Sequence, residues 1–135
     1  MSRKAAREIA MKMAYEKLFD CEDTYATVME ISGAEGEPLP EDIDFANGIV
    51  DGVAEHAAEI DGVIASASKG WSIDRMPKVD LSVLRVAVYE LLFDRKAPQK
   101  VVINEAVRIA TKYGGEDSPR FINGVLGKVA ASASN

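Results

Sequence analysis

The chain has one cysteine, one histidine and one tryptophan in 135 residues, and its apolar runs are all broken by charge. Each scarcity removes a class of function. A lone Cys21 cannot close an intrachain disulfide, so a reducing cytoplasm is expected. His56, with no second histidine and no cysteine cluster, cannot assemble a zinc site, and no metal or cofactor is expected. A Ser–His–Asp or Cys–His arrangement would have to recruit that same imidazole, which reads better as a packing or surface residue. Gly114-Gly115 is not followed by the Gly-Lys-Ser/Thr of a phosphate loop. No run is long enough to span a membrane, and the N-terminus, Met1-Ser2-Arg3-Lys4-Ala5-Ala6-Arg7-Glu8, lacks the apolar segment of a secretory signal. What remains is a protein that binds and does not catalyse.

Positive charge is also missing from one long stretch. Asp20 to Asp61 holds 13 acidic residues and no Lys or Arg. The rest of the chain carries all 16 basic residues against nine acidic ones, a balance of +7, although the whole chain is at −6. Such asymmetry allows a local anion-binding face on an acidic protein.

Strand-like alternation and internal repeats are absent, and the apolar residues recur at helical spacing. A first helix is predicted over 2–19, with Glu8, Lys12 and Glu16 as a solvent-facing i,i+4 ladder. A short helix over 24–31 and a Gly/Pro-rich loop over 33–41 follow. A long helix is predicted over 42–68, capped by Asp42, with Phe45, Ile49, Val53, Ala57, Ile60, Ile64 and Ala67 on its core face. The helix over 78–93 is apolar nearly all round and should be central. The helix over 99–113 follows Pro98 and ends at Gly114-Gly115, residues suited to a left-handed cap. A last helix starts at an N-cap Ser118 and buries Ile122, Val125, Leu126 and Val129, with a frayed tail over 130–135. The fold class is all-α: one domain, a helical bundle of six to seven helices.

Two features resist a packing explanation. Arg3, Lys4 and Arg7 lie off the Glu8 ladder, toward the side carrying Ala14 and Leu18, and oppose the helix macrodipole. An overhanging basic tip suited to phosphate contacts fits them. Phe121 lies about 90° from the apolar arc of the last helix. Beside Arg120 at a helix N-terminus, it could stack on a base while backbone N–H groups face phosphate. Asp80 and Arg85 sit on the nearly all-apolar fourth helix and need partners; Glu90 and Glu105 are both open to Arg85.

Three ordered stretches then resemble signatures of the NusB family of transcription antitermination factors. They are Trp71-Ser72-Ile73-Asp74-Arg75-Met76-Pro77-Lys78-Val79-Asp80 through Leu91, Val102-Ile103-Asn104-Glu105-Ala106-Val107 through Ala110, and Phe121-Ile122-Asn123-Gly124-Val125-Leu126. Ala6-Arg7, Ala10 and Tyr15 are similar to that family's first helix. The resemblance implies two packed helical halves, a ribosomal-protein partner (NusE), boxA RNA of nascent ribosomal transcripts, and membership of an antitermination complex on RNA polymerase. Carried over by motif, it implies RNA contacts at Arg3, Lys4, Arg7, Tyr15, Asp117, Arg120 and Phe121. Ala5 and Ala6 interrupt what is often a denser arginine run, which implies weaker RNA affinity without the partner. Gly127 stands where the family usually has an acidic residue. The competing expectation is a helical protein–protein module, homodimeric, with weak or no RNA binding.

Overall fold

The computed structural model describes residues 3–19 and 39–133; Cys21, the expected helix over 24–31, most of the expected loop and the last two residues lie outside them. Six α-helices are present among the described residues, with no strand: α1 (Arg3–Lys17), α2 (Pro40–Glu55), α3 (Ala57–Ala67), α4 (Lys78–Tyr89), α5 (Gln99–Tyr113) and α6 (Ser118–Ala133). A 3-10 turn, Ile73–Arg75, precedes α4, and a π turn, Glu90–Asp94, extends it. No helix among the described residues is long and apolar enough to cross a membrane.

The all-round apolar helix is central, as its composition predicts. α4 touches each of the other five helices, and Leu84 and Val88 are fully enclosed. Ser82 is enclosed with them, its hydroxyl donating to the Lys78 carbonyl one turn back at 2.8 Å. α1 lies across α2 and α4, burying Ile9, Ala10, Met11 and Met13. α6 packs mainly on α5 and buries Ile122, Val125, Leu126 and Val129.

Four expectations about local structure are corrected. The long helix breaks at His56 (φ −108°, ψ 22°), whose ring stacks on Phe93 at 4.0 Å and 14°. The kink lets α2 follow α1 while α3 turns toward α6, and it rotates Ala57 out to solvent. The helix also begins earlier than Asp42, at Pro40, where proline's missing N–H costs nothing. Gly114 is extended (φ −92°, ψ −172°), not left-handed. Space is what it supplies, since a Cβ there would meet Ser118 Oγ at 2.6 Å and the Ala110 carbonyl at 2.8 Å. Finally, α6 continues to Ala133 with Ala130 buried, beyond the expected start of fraying.

Two glycines on α2 give a contrast in sign. A Cβ on Gly48 meets nothing within 4 Å, whereas one on Gly52 runs into the ring of Tyr89. Gly48→Ala should therefore raise stability by about 0.5–1 kcal/mol through helix propensity. Gly52→Ala should lower it, because overpacking of about 1–3 kcal/mol outweighs that gain. Thermal melts that move in the same direction for both would contradict this packing.

Candidate nucleic-acid interface

α1 runs antiparallel to α4 and parallel to α5. Arg7 meets Glu90 and Lys78 reaches the Phe19 ring, while Glu8 meets Arg108 and Lys12 sits over Tyr113. The two ends of α1 therefore border different surfaces, and the seven expected contact residues divide between them. Arg3 and Tyr15 are about 18 Å apart along the helix axis at ~1.5 Å per residue.

At the N-terminal end the expected basic tip is largely consumed by internal partners. Arg7 is 7% exposed, and its guanidinium forks onto Glu90, with Nε and Nη2 each 3.0 Å from a carboxylate oxygen. It is withdrawn from any RNA face; the partner that sequence spacing could not supply lies 83 residues away. Arg3 lies 4.2 Å over the Phe45 ring, donates to the Glu41 carbonyl at 3.4 Å and pairs with Asp42 at 3.5 Å. Its side chain stays 46% exposed. Lys4 is exposed, and its carbonyl accepts a bond from Arg108. The Glu8 ladder is not a solvated face either. Glu8 accepts from both Arg108 (3.3 Å) and Lys112 (3.1 Å), and the hydrogen bond to Glu8 holds the Lys112 ammonium above its usual value.

The other end of α1 meets a cleft of 620 Å³ between the loop before α4 and the α5–α6 turn. Asp117, Arg120 and Phe121 line it, so three of the expected residues converge here. Asp117 and Arg120 are exposed, and Phe121 is half-buried against the core. Tyr15, half-buried, makes an edge contact with Phe19 at 5.1 Å, and Lys78 Nζ lies 5.8 Å from the Phe19 ring. Lys78 follows Pro77, another lining residue, which places Tyr15 and Phe19 at the same end of the bundle as the cleft.

Trp71 and Asp80 also line the cleft, and the sequence did not single out either as a contact. Trp71 is 50% exposed, with its ring 5.9 Å from that of Phe121. Gly70, at φ +84°, turns the chain into it, and Ser68 grips both sides of the turn. An exposed tryptophan beside a left-handed glycine is the one local signal that marked this position. Asp80 had been noticed only as a charge on an apolar helix. It is 4% exposed, and burial pushes its carboxyl above the usual carboxylate value, partly offset by a hydrogen bond from Ser118.

Ser118 does not act as the expected forward N-cap. Its Oγ accepts the Gly115 N–H at 3.0 Å. The expected row of free amides at the start of α6 is correspondingly short. The Ser118 N–H is bonded to the Gly115 carbonyl, Pro119 has none, and the Phe121 N–H is bonded to the Asp117 carbonyl. That leaves the Arg120 amide and guanidinium for an anion. The lining as a whole carries three carboxylates (Asp80, Glu116, Asp117) and one guanidinium. Its chemistry suits a flat ring with polar edges better than a phosphate.

Arg85, left between two partners by the sequence, takes neither. It forks onto Asp61 of α3 at 2.8 and 2.9 Å, while Glu90 serves Arg7 and Glu105 serves Arg108.

Comparison with known proteins agrees with this geometry over nearly the whole chain. The NusB family model matches residues 4–131. The transcription antitermination protein NusB of Geobacter sulfurreducens is 46% identical over 132 residues, covering 97% of this chain and 95% of the relative. The solved structure of T. maritima NusB superposes with a TM-score of 0.83 at 31% identity, covering 97% of this chain and 92% of the other. A chain in a crystal structure of antitermination factors NusB and NusE in complex with double-stranded RNA superposes at 0.82 with 28% identity, covering 96% of each.

Proposed function

Because the chain belongs to the NusB family of transcription antitermination proteins, we propose that it binds boxA RNA of nascent ribosomal transcripts together with the ribosomal protein NusE. In that form it joins the antitermination complex on RNA polymerase, in the cytoplasm. Its action is binding alone. The observation that carries this reading is the convergence of Asp117, Arg120, Phe121 and Trp71 on one cleft, with Tyr15 and Phe19 at the same end of the bundle. Single-stranded RNA is bound by aromatic platforms with cations beside them, and this end supplies both. The family-wide likeness to a chain solved with NusE and RNA supports the same partners. Phosphate contacts fall to Arg120, Lys78, Lys4 and the exposed half of Arg3; Arg7 supports the helix that holds them.

A mobility-shift titration of boxA RNA with and without NusE tests the reading, and binding should tighten with the partner. Arg120→Ala should weaken binding to all sequences alike and lower the salt slope by about one counterion. A chain that fails to shift boxA even with NusE, and elutes as a homodimer, would instead be a protein–protein module.

A further inference from the structure

One buried group in the cleft has no task in the fold. Asp80 Oδ1 is enclosed and has no hydrogen-bond partner, although its carboxylate lines the cleft. A buried acceptor left unmade costs about 1–3 kcal/mol, more when charged. The fold does not relieve this cost, even though donors are close by. Ser118 donates its O–H to the carboxylate, and its own Oγ is held by the Gly115 N–H. Arg120 lines the same cleft yet makes no ion pair with Asp80 among the described contacts. The carboxylate is fixed from behind by Ser118 and left unsatisfied at its other oxygen.

What sits over it is aromatic. Trp71 and Phe121 line the same cleft with centroids 5.9 Å apart and planes 59° from parallel. A base sandwiched between two rings needs roughly twice the ~3.4 Å stacking repeat of nucleic acids. The pair must open by about 1 Å and rotate, which a half-exposed tryptophan can do. Opening it also uncovers the enclosed oxygen.

We infer that Asp80 is a base-reading residue: its free carboxylate oxygen accepts the exocyclic amino group of a base stacked between Trp71 and Phe121. The inference rests on the RNA-binding reading above and adds a specificity to it. Cytosine, adenine and guanine carry such an amino group; uracil carries only carbonyl oxygens on that edge, which a carboxylate repels. The three carboxylates of the lining favour a partly positive amino edge over a phosphate, which is why a base and not the backbone is assigned to this cleft.

The test uses the full chain with NusE and labelled single-stranded hexamers: all-uridine, or with one central uridine replaced by cytidine, adenosine or N4,N4-dimethylcytidine. Anisotropy should show the cytidine or adenosine hexamer binding about ten- to a hundredfold tighter than all-uridine, as one charged hydrogen bond allows. Dimethylation, which removes both N–H donors and leaves the protein untouched, should abolish the gain. Asp80→Asn, whose amide can also donate to a uracil oxygen, should bring the hexamers within about twofold of one another. Trp71, the chain's one tryptophan, should be quenched by the hexamers that bind. Equal binding of cytidine and dimethylcytidine by the unaltered protein would overturn the inference. So would an Asp80→Asn protein that keeps its base preference but loses NusE, since the carboxylate would then serve the protein partner. If no hexamer and no boxA RNA bind, the RNA reading itself falls, which is a different outcome from indiscriminate binding.

Discussion

Arg7→Ala is expected to cost the fold about 3–5 kcal/mol, the usual penalty for stranding one charge of a buried pair. The pair is well built for such a loss. Glu90 is 2% exposed and receives three N–H···O contacts of 3.0–3.2 Å from the Arg7 guanidinium. Removing the arginine leaves a carboxylate at the junction of α1, α4 and α5 with neither water nor a cation. A domain of this size is stable by about 5–15 kcal/mol, so a third or more of the total is at stake. Urea titration followed by helical circular dichroism measures it directly. Glu90→Gln should be milder, because the amide still accepts from the guanidinium. The double change Arg7→Met with Glu90→Leu should recover most of the loss, since desolvating an ion pair returns little net energy. A loss below about 1 kcal/mol for Arg7→Ala would show that Arg7 points outward after all.

That residue also shows where reading the sequence stops. Arg7 stood out because its helical direction disagreed with its charge, and the disagreement was real. Two resolutions were available, a basic tip for RNA or a buried partner, and spacing along α1 contains no information about Glu90. The same limit explains Arg85, whose partner Asp61 lies on α3 in the acidic half of the chain. Periodicity fixes which side of a helix is apolar, hence the bounds of α5 and the centrality of α4. It does not fix how one helix is rotated against another, and ion pairs depend on that rotation. The break at His56 escaped for a related reason. Ile49, Val53, Ile60 and Ile64 keep one phase across it, and only the ring stack on Phe93, 37 positions further on, reveals the bend. Phe121, in contrast, was legible locally: a large aromatic off its own helix's apolar arc has few explanations, and the cleft supplies one. Trp71 and Asp80 became part of the site only when the turn at Gly70 and the start of α4 were seen to face α6.

Phe121→Ala should reduce boxA affinity by about 1–3 kcal/mol, roughly 5- to 150-fold, the range measured for losing one base-stacking ring. The ring is half-buried and sits at the rim of the core, so the cost to folding should be smaller than that of Arg7→Ala. Phe121→Tyr keeps a π face and should retain most of the affinity; Phe121→Leu keeps apolar area without the face and should behave like alanine. The salt dependence separates this residue from its neighbour. A stacking ring releases no counterions, so log K against log salt should keep its slope in Phe121→Ala, whereas Arg120→Ala flattens it. The two changes should also fail to add, because both groups line one cleft and a base that no longer stacks no longer presents its phosphate to Arg120. If leucine matched tyrosine, or if the slope fell in Phe121→Ala, Phe121 would be a packing residue and the RNA would have to lie elsewhere. The exposed Lys4 and the half-exposed Arg3, at the far end of α1, would then be the only expected cations left to receive it.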